Sequence, residues 1–182
     1  SHSMKAVALL EPQGESPLLA QAYSRLGFSS LYRSSRREPP TVAIGYVEKA
    51  LAMSERLGDA VAIRSVERTL GLVSFEVGEI KRGLELLHKS CEEARKRGDL
   101  VTFGVDAPNL SNRYALLGDA DQSLRWSEQT ADAFKQPGTL RYQIHSALCL
   151  AWASILQGDT PRALLSLEAA QQVARKFGVG LS

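Results

Sequence analysis

The sequence predicts an all-α fold built from stacked helical hairpins, and three observations carry that prediction. Glycines stand at positions 58, 78, 98, 118, 138, 158 and 178, one every 20 residues, and most are followed by Asp, Glu or Thr. Self-similarity at a fixed period of about 20 to 50 residues marks a repeat architecture. The clearest stretch, Leu70 to Asp99 (LGLVSFEVGEIKRGLELLHKSCEEARKRGD), reads as a helix, a tight turn at Gly78-Glu79, a second helix and a Gly-Asp stop. Two glycine intervals therefore make one hairpin, with a 40-residue repeat. Inside it Ile80, Leu84, Leu87, Cys91 and Ala94 recur at steps of four, three, four and three, the buried stripe of an amphipathic helix.

Taken in order, residues 1–3 precede Met4 and read as an expression scar. Residues 4–12 have apolar positions at 6, 7, 9 and 10 and stop at Pro12, as the end of a preceding helix whose own partner is missing would. The chain then looks like a slice of a longer array, one domain over 4–182 with repeats at about 16–58, 59–98, 99–138 and 139–178. Ser16-Pro17 opens the first helix, a capping hydroxyl followed by proline at the first helical position. Leu18, Ala22, Leu26 and Ser29 continue one face, with Ala20, Tyr23 and Gly27 beside them. The segment RSSRREPP from 33 to 40 interrupts the pattern as a longer basic loop, after which Thr41 is expected to cap a helix burying Ala43, Val47, Ala50 and Leu57.

In the second repeat Cys91 belongs to the core stripe, Arg95-Lys96-Arg97 meets the negative end of a helix dipole, and Gly98 supplies a left-handed cap. The third repeat is irregular. Pro108 falls inside its first helix, where it removes a backbone hydrogen bond and crowds the preceding turn, so a kink or restart is expected near Asp106. Its second helix has a weak stripe of Leu124, Ser127, Ala131 and Phe134 and ends at Gln136-Pro137-Gly138. The fourth repeat restores strong periodicity through Ile144, Ala147, Leu148, Ala151 and Ile155, then Leu164, Leu167, Ala170, Ala174 and Phe177, with Thr160-Pro161 opening its last helix.

Composition narrows the function classes. With 22 basic against 20 acidic residues the net charge of +2 points to no nucleic-acid or membrane surface, and no apolar run approaches the roughly 18 residues of a membrane span. Cys91 and Cys149 lie within helical patterns, far apart in sequence, as the reduced, buried thiols of a cytoplasmic protein would. No Gly-rich phosphate loop, HExxH, CxxC or GxSxG motif is present, and Glu92-Glu93, four and five residues after His88, read as neighbouring carboxylates on a solvated helix face. The expectation is a protein that is not an enzyme, with no cofactor and no metal.

The slots within each repeat resemble the tetratricopeptide pattern, lengthened by six residues. Leu70-Gly71, Gly78, Gly83, Leu87 and Ser90 carry the likeness; Leu26-Gly27, Ala43, Val47 and Ala50 repeat it, as do Leu150-Ala151, Gly158, Ala163, Leu167 and Ala170. The third repeat matches more faintly through Leu110-Ser111, Tyr114, Gly118 and Ser123. Small residues at these slots let two helices approach closely. The strings LLEPQGESPLLAQAYSRLG, VEKALAMSERLGD and GLELLHKSCEEARKRGD are further similar to the helical-repeat region of bacterial ATP-binding LuxR-type transcription regulators and related signalling ATPases. Forty-residue repeats of the Pins or LGN adaptor type share much of this style.

The resemblance implies a right-handed α-solenoid that holds a partner in a concave groove lined by the first helices. Carried over residue by residue, the groove row is Gln21, Ser24, Phe28, Leu31 and Tyr32; Ser65, Arg68, Leu72, Phe75 and Glu76; Val105, Pro108, Asn112 and Leu116; and His145, Leu148, Trp152 and Ile155. Aromatic and arginine side chains tend to dominate binding energy, which singles out Phe28, Tyr32, Arg68 and Phe75, then Asn112, His145 and Trp152. The expected function is an interaction or sensor module of a transcriptional or signalling regulator, with a protein or peptide helix as partner. Two alternatives stand beside it. One is a self-association scaffold, a homodimer through an uncapped apolar end at Val7, Leu9 and Leu10; the other is a small-molecule effector site beside Pro108, lined by Phe75, Asn112, His145 and Trp152.

Overall fold

The computed structural model describes residues 2–33, 39–134 and 140–176, and side chains at 32, 33, 40, 140 and 141 fall outside that description. The basic loop, the Gln136-Pro137-Gly138 stop, Phe177 and Gly178 thus lie wholly or largely outside the described residues. The chain is all-helical: α1 (His2–Leu10), a 3-10 turn (Glu11–Gln13), α2 (Pro17–Arg33), α3 (Pro40–Arg56), α4 (Ala60–Glu76), α5 (Ile80–Lys96), α6 (Leu100–Leu116), α7 (Ala120–Ala133), α8 (Leu140–Leu156) and α9 (Thr160–Lys176). Among the described residues there is no strand.

The glycine ladder has a local cause. Helices α2 to α6, α8 and α9 are each 17 residues long, and after α3, α4, α5, α6 and α8 a three-residue connection completes the 20-residue interval. Gly58, Gly78, Gly98, Gly118 and Gly158 all take positive φ, between 65° and 96°. That left-handed turn sends the next N–H back to a carbonyl five residues earlier: Glu79 to Ser74 at 2.8 Å, and Asp99 to Ala94, Asp119 to Tyr114 and Asp159 to Ser154 at 2.9 Å. The aspartate then starts the following helix. Its carboxylate accepts from Val61 and Ala62 (Asp59), Thr102 (Asp99), Gln122 (Asp119) and Arg162 (Asp159), each at 3.0 Å. One Gly-Asp pair thus ends one helix and begins the next, and so fixes the hairpin.

Several local expectations are corrected. Helix α3 begins at Pro40, behind Pro39, and Thr41 is an exposed residue inside it, because proline's fixed φ and missing N–H suit the first helical position. Leu57 sits in the turn and is 39% exposed; Met53 and Ser54 complete the buried face of α3 instead. In α2 Ala22 and Leu26 of the expected stripe are buried, but Leu18 is 65% exposed and Leu19, at 3%, takes its place. Three apolar residues in succession, Leu18 to Ala20, leave the phase open, and Tyr23 and Leu26 set it. Helix α6 runs unbroken through Pro108 and does not restart near Asp106. A proline there costs one backbone bond, and its ring is fully buried in the packing that surrounds it.

The chain divides into two compact units, Ser1–Ser90 and Cys91–Ser182, with the boundary inside α5. In the first, α1 packs on α2, α2 on α3 and α4, and α3 on α4. Leu19, Tyr23, Leu26, Val47, Val66, Leu70 and Val73 form its core. Close helix approach depends on glycine: a Cβ on Gly27 would lie 2.6 Å from the Ala43 carbonyl oxygen, and one on Gly83 would lie 2.8 Å from the Gly71 oxygen. The 3-10 turn is strapped to this unit by polar contacts. Glu11 accepts from the Tyr23 hydroxyl and from Lys49 (3.1 Å), whose ammonium lies 4.2 Å from the Tyr23 ring centre. The bonds from Tyr23 and Lys49 hold the Glu11 carboxyl below the usual range, and Arg56 does the same for Glu15.

In the second unit α6 packs on α7 and α8, α7 on α8, and α8 on α9. Phe134 is 1% exposed and fills the space that Gly104 leaves: a Cβ on that glycine would fall 1.9 Å from the ring. Trp126, absent from the predicted stripe, is 9% exposed, and the buried face of α7 also carries Ser123, Ser127 and Thr130. The two units share one feature of register. Arg82 pairs with Glu48 in the first and Arg162 with Glu128 in the second, each across 34 residues, so second helices of successive hairpins meet at the same positions.

Candidate functional site

The first helices of the hairpins are α2 and α4 in one unit and α6 and α8 in the other, and the groove row runs along them. Burial splits the row into two alternating sets. In α4, Ser65 is exposed and Leu72 half-buried, while Phe75 is only 7% exposed. In α6, Val105 and Asn112 are half-buried, while Pro108 and the neighbouring Ala115 are in the core. In α2, Gln21 is exposed and Phe28 is 38% exposed, while Ser24 is at 7%. On these three helices the pairs seven apart, about two helical turns, thus reach the surface, while Ser24, Phe75, Pro108 and Ala115 are buried; on α8 all four row residues are exposed.

This sorting places each predicted binding residue. Phe28 is exposed, Arg68 is half-buried, and the Tyr32 side chain lies outside the described residues. Phe75 is corrected to a packing residue: its backbone and Cβ lie against Gly83, within 2.9 Å of where a Cβ on that glycine would sit. Asn112 is half-buried, and its Oδ1 faces the Cys149 thiol at 3.7 Å. His145 is exposed, and Trp152 is 53% exposed. Of the residues expected to line an effector pocket beside Pro108, Pro108 and Phe75 are buried, Asn112 is half-buried, and His145 and Trp152 are exposed. Of the apolar end expected at Val7, Leu9 and Leu10, Val7 and Leu10 pack into the first unit's core and Leu9 stays 70% exposed.

Each unit carries a cleft between its two first helices. In the first, Pro17, Leu18, Gln21, Ser24, Val61 and Ser65 are among the residues lining about 280 Å³ between α2 and α4. In the second, Gly104, Val105, Asn109, Tyr142 and His145 line about 370 Å³ between α6 and α8. The row positions Gln21 and Ser65 in one cleft correspond through the repeat to Val105 and His145 in the other. Asn109 donates through its side-chain amide to the Val105 carbonyl at 2.7 Å, and the Tyr142 ring stacks on Phe134 with centres 4.9 Å apart. Leu18, Tyr142 and Asn109 were not among the predicted row. They lie three residues before or four after a row position, so the helical neighbours of Gln21, Val105 and His145 would have found them.

Burial pushes the Cys149 thiol up to about 11, and burial together with the charge of Asp106 pushes Cys91 higher still, so both stay protonated at neutral pH. Among the described residues no cluster of three or more His, Cys, Asp or Glu side chains could hold a metal ion. No described helix is long and apolar enough to cross a membrane. Compared with known proteins, the chain matches no family model and no curated protein.

Proposed function

We propose that this chain is a tetratricopeptide-type interaction module which holds a protein or peptide helix along the exposed set of its first-helix row. The right-handed solenoid that such repeats build is part of this reading, as is its place as sensor or docking region of a bacterial transcriptional or signalling regulator. The observation that supports it best is the recurrence of a cleft between first helices at the same repeat positions, Gln21 with Ser65 and Val105 with His145. A partner helix has an apolar stripe of period 3.6 and needs apolar and aromatic seats with a few hydrogen-bonding groups between them. Within the first unit Phe28 and Leu72, and within the second Asn112, His145 and Trp152, supply such groups on accessible positions.

Native mass spectrometry of the purified chain, with denaturing analysis of whatever it releases, identifies a bound partner. Trp152→Ala is expected to weaken that partner's binding by more than about 1 kcal/mol while leaving helical circular dichroism unchanged, since a half-exposed aromatic contributes mainly to contact. An unaltered affinity removes Trp152 from the site.

A further inference from the structure

The two clefts hold equivalent places in the repeat and differ in chemistry. The lining of the α2–α4 cleft is aliphatic and small at Pro17, Leu18, Val61 and Ala62, and it includes a carboxylate at Asp59. In the α6–α8 cleft the place of Ala62 is taken by Tyr142 and that of Ser65 by His145, and none of the described residues lining it is acidic, lysine or arginine. Its aromatic wall is held from behind. Tyr142 stacks on Phe134, which is 1% exposed and fits only because Gly104 has no side chain, and the Gln143 amide donates to the Phe134 carbonyl at 2.8 Å. From α6 comes one polar group of fixed orientation. Asn109 donates its side-chain amide to the Val105 carbonyl, which identifies the nitrogen end of that amide and leaves Oδ1 accepting from no described residue.

We propose that the α6–α8 cleft seats a tryptophan side chain of the bound partner helix, its ring on Tyr142 and its indole N–H donated to Asn109 Oδ1. The proposal rests on the helix-binding reading for the source of the group, and it names the chemistry that reading leaves open. Three features select an indole. A rigid aromatic wall favours a flat ring, since offset-stacked pairs gain more than their buried area alone supplies. An acceptor without a donor calls for an N–H, and the indole nitrogen is a donor only, so the ring brings no lone pair that the cleft must satisfy. A lining without charge offers nothing to offset the desolvation of a charged side chain, which rejects Lys, Arg, Asp and Glu. A phenylalanine would stack equally well but leave Oδ1 unpaired. The cleft's volume of about 370 Å³ lies at the small end of the range for ligand sites. The α2–α4 cleft has no ring in its lining and carries Arg25 at the repeat position of Asn109, so it lacks both the wall and the acceptor.

The probe is N-acetyl-tryptophanamide, which is uncharged and free of any helix, titrated into the full chain and followed by backbone amide NMR shifts. Beside it runs its indole N-methyl derivative, which keeps the ring and blocks the donor. The expected result is shifts centred on Gly104, Val105 and Tyr142, with binding at least about fivefold tighter than that of the N-methyl derivative. Asn109→Leu is expected to erase that preference while keeping wild-type helical circular dichroism. The ligand pair requires no change in the protein, so it reads the hydrogen bond independently of how the variant folds. Four results would overturn the proposal: no shifts at these residues at millimolar probe, shifts centred on Leu18 and Ser65 instead, equal affinity for the two ligands, or a preference that survives Asn109→Leu. The Trp152→Ala measurement stays separate. A partner weakened by Trp152→Ala beside a cleft indifferent to the indole keeps the helix reading and refutes this seat, and the opposite pair of results does the reverse.

Discussion

The α4–α5 crossing and the α6–α7 crossing occupy the same slots of the repeat and solve one packing problem in two ways. In the first, Gly71 and Gly83 face each other, and a Cβ on Gly83 would meet the Gly71 oxygen and the Phe75 nitrogen at 2.8 Å each. In the second the slots hold Ser111 and Ser123, and the Ser111 hydroxyl donates to the Ser123 carbonyl at 3.0 Å and exchanges a 2.7 Å hydrogen bond with the Ser127 hydroxyl. One crossing is closed by the absence of side chains. The other is filled by hydroxyls that find partners inside it. Small size is what the slot requires, and a buried serine meets that requirement only because its oxygen is satisfied.

This comparison has direct consequences for stability. Gly83→Ala removes the flexibility cost of a helical glycine, a gain of about 1 kcal/mol, but forces a methyl group against backbone atoms that cannot rotate away. The net expectation is a loss of about 2 kcal/mol in urea unfolding. A Gly83→Ala protein as stable as wild type would show that the α4–α5 approach is looser than described. Ser111→Ala keeps the slot small but strips one hydroxyl from a buried trio, so its expected cost is smaller, about 1 kcal/mol by the same unfolding measurement. A cost of several kcal/mol would mean that the serines form a cooperative network rather than a filled gap.

Much of the fold was legible in the chain because its strongest signals are local. The Gly-Asp pairs encode both a left-handed stop and a cap, and they recur at fixed spacing, so helix number and hairpin order follow directly. Phase within a helix was less legible where apolar residues run together, as at Leu18 to Ala20, since burial there depends on which neighbours arrive. Pro108 shows the limit of a local rule. Its cost is real, yet burial of the ring among surrounding helices leaves α6 continuous.

For the candidate site, the sequence placed the row on the first helices but could not divide it into exposed and packed sets. Phe75 and Trp152 look equally suitable as anchors in sequence, and only packing separates them: the one lies against Gly83 and the other stands half-exposed. Serines in the row are equally ambiguous, since Ser24 is buried and Ser65 exposed. That pair offers a clean discriminator, because serine to cysteine changes little but the reactive atom.

The most direct measurement of the account is thiol labelling of Ser65→Cys and Ser24→Cys in the native protein at pH 8. Cys91 and Cys149 provide a silent background, both buried and both with thiols pushed up. The expected result is prompt uptake of one reagent by the Ser65→Cys protein and much slower uptake by the Ser24→Cys protein, whose position is 7% exposed at the wall of the cleft. Equal labelling of the two would contradict the division of the first-helix row into a contact surface and a packing surface.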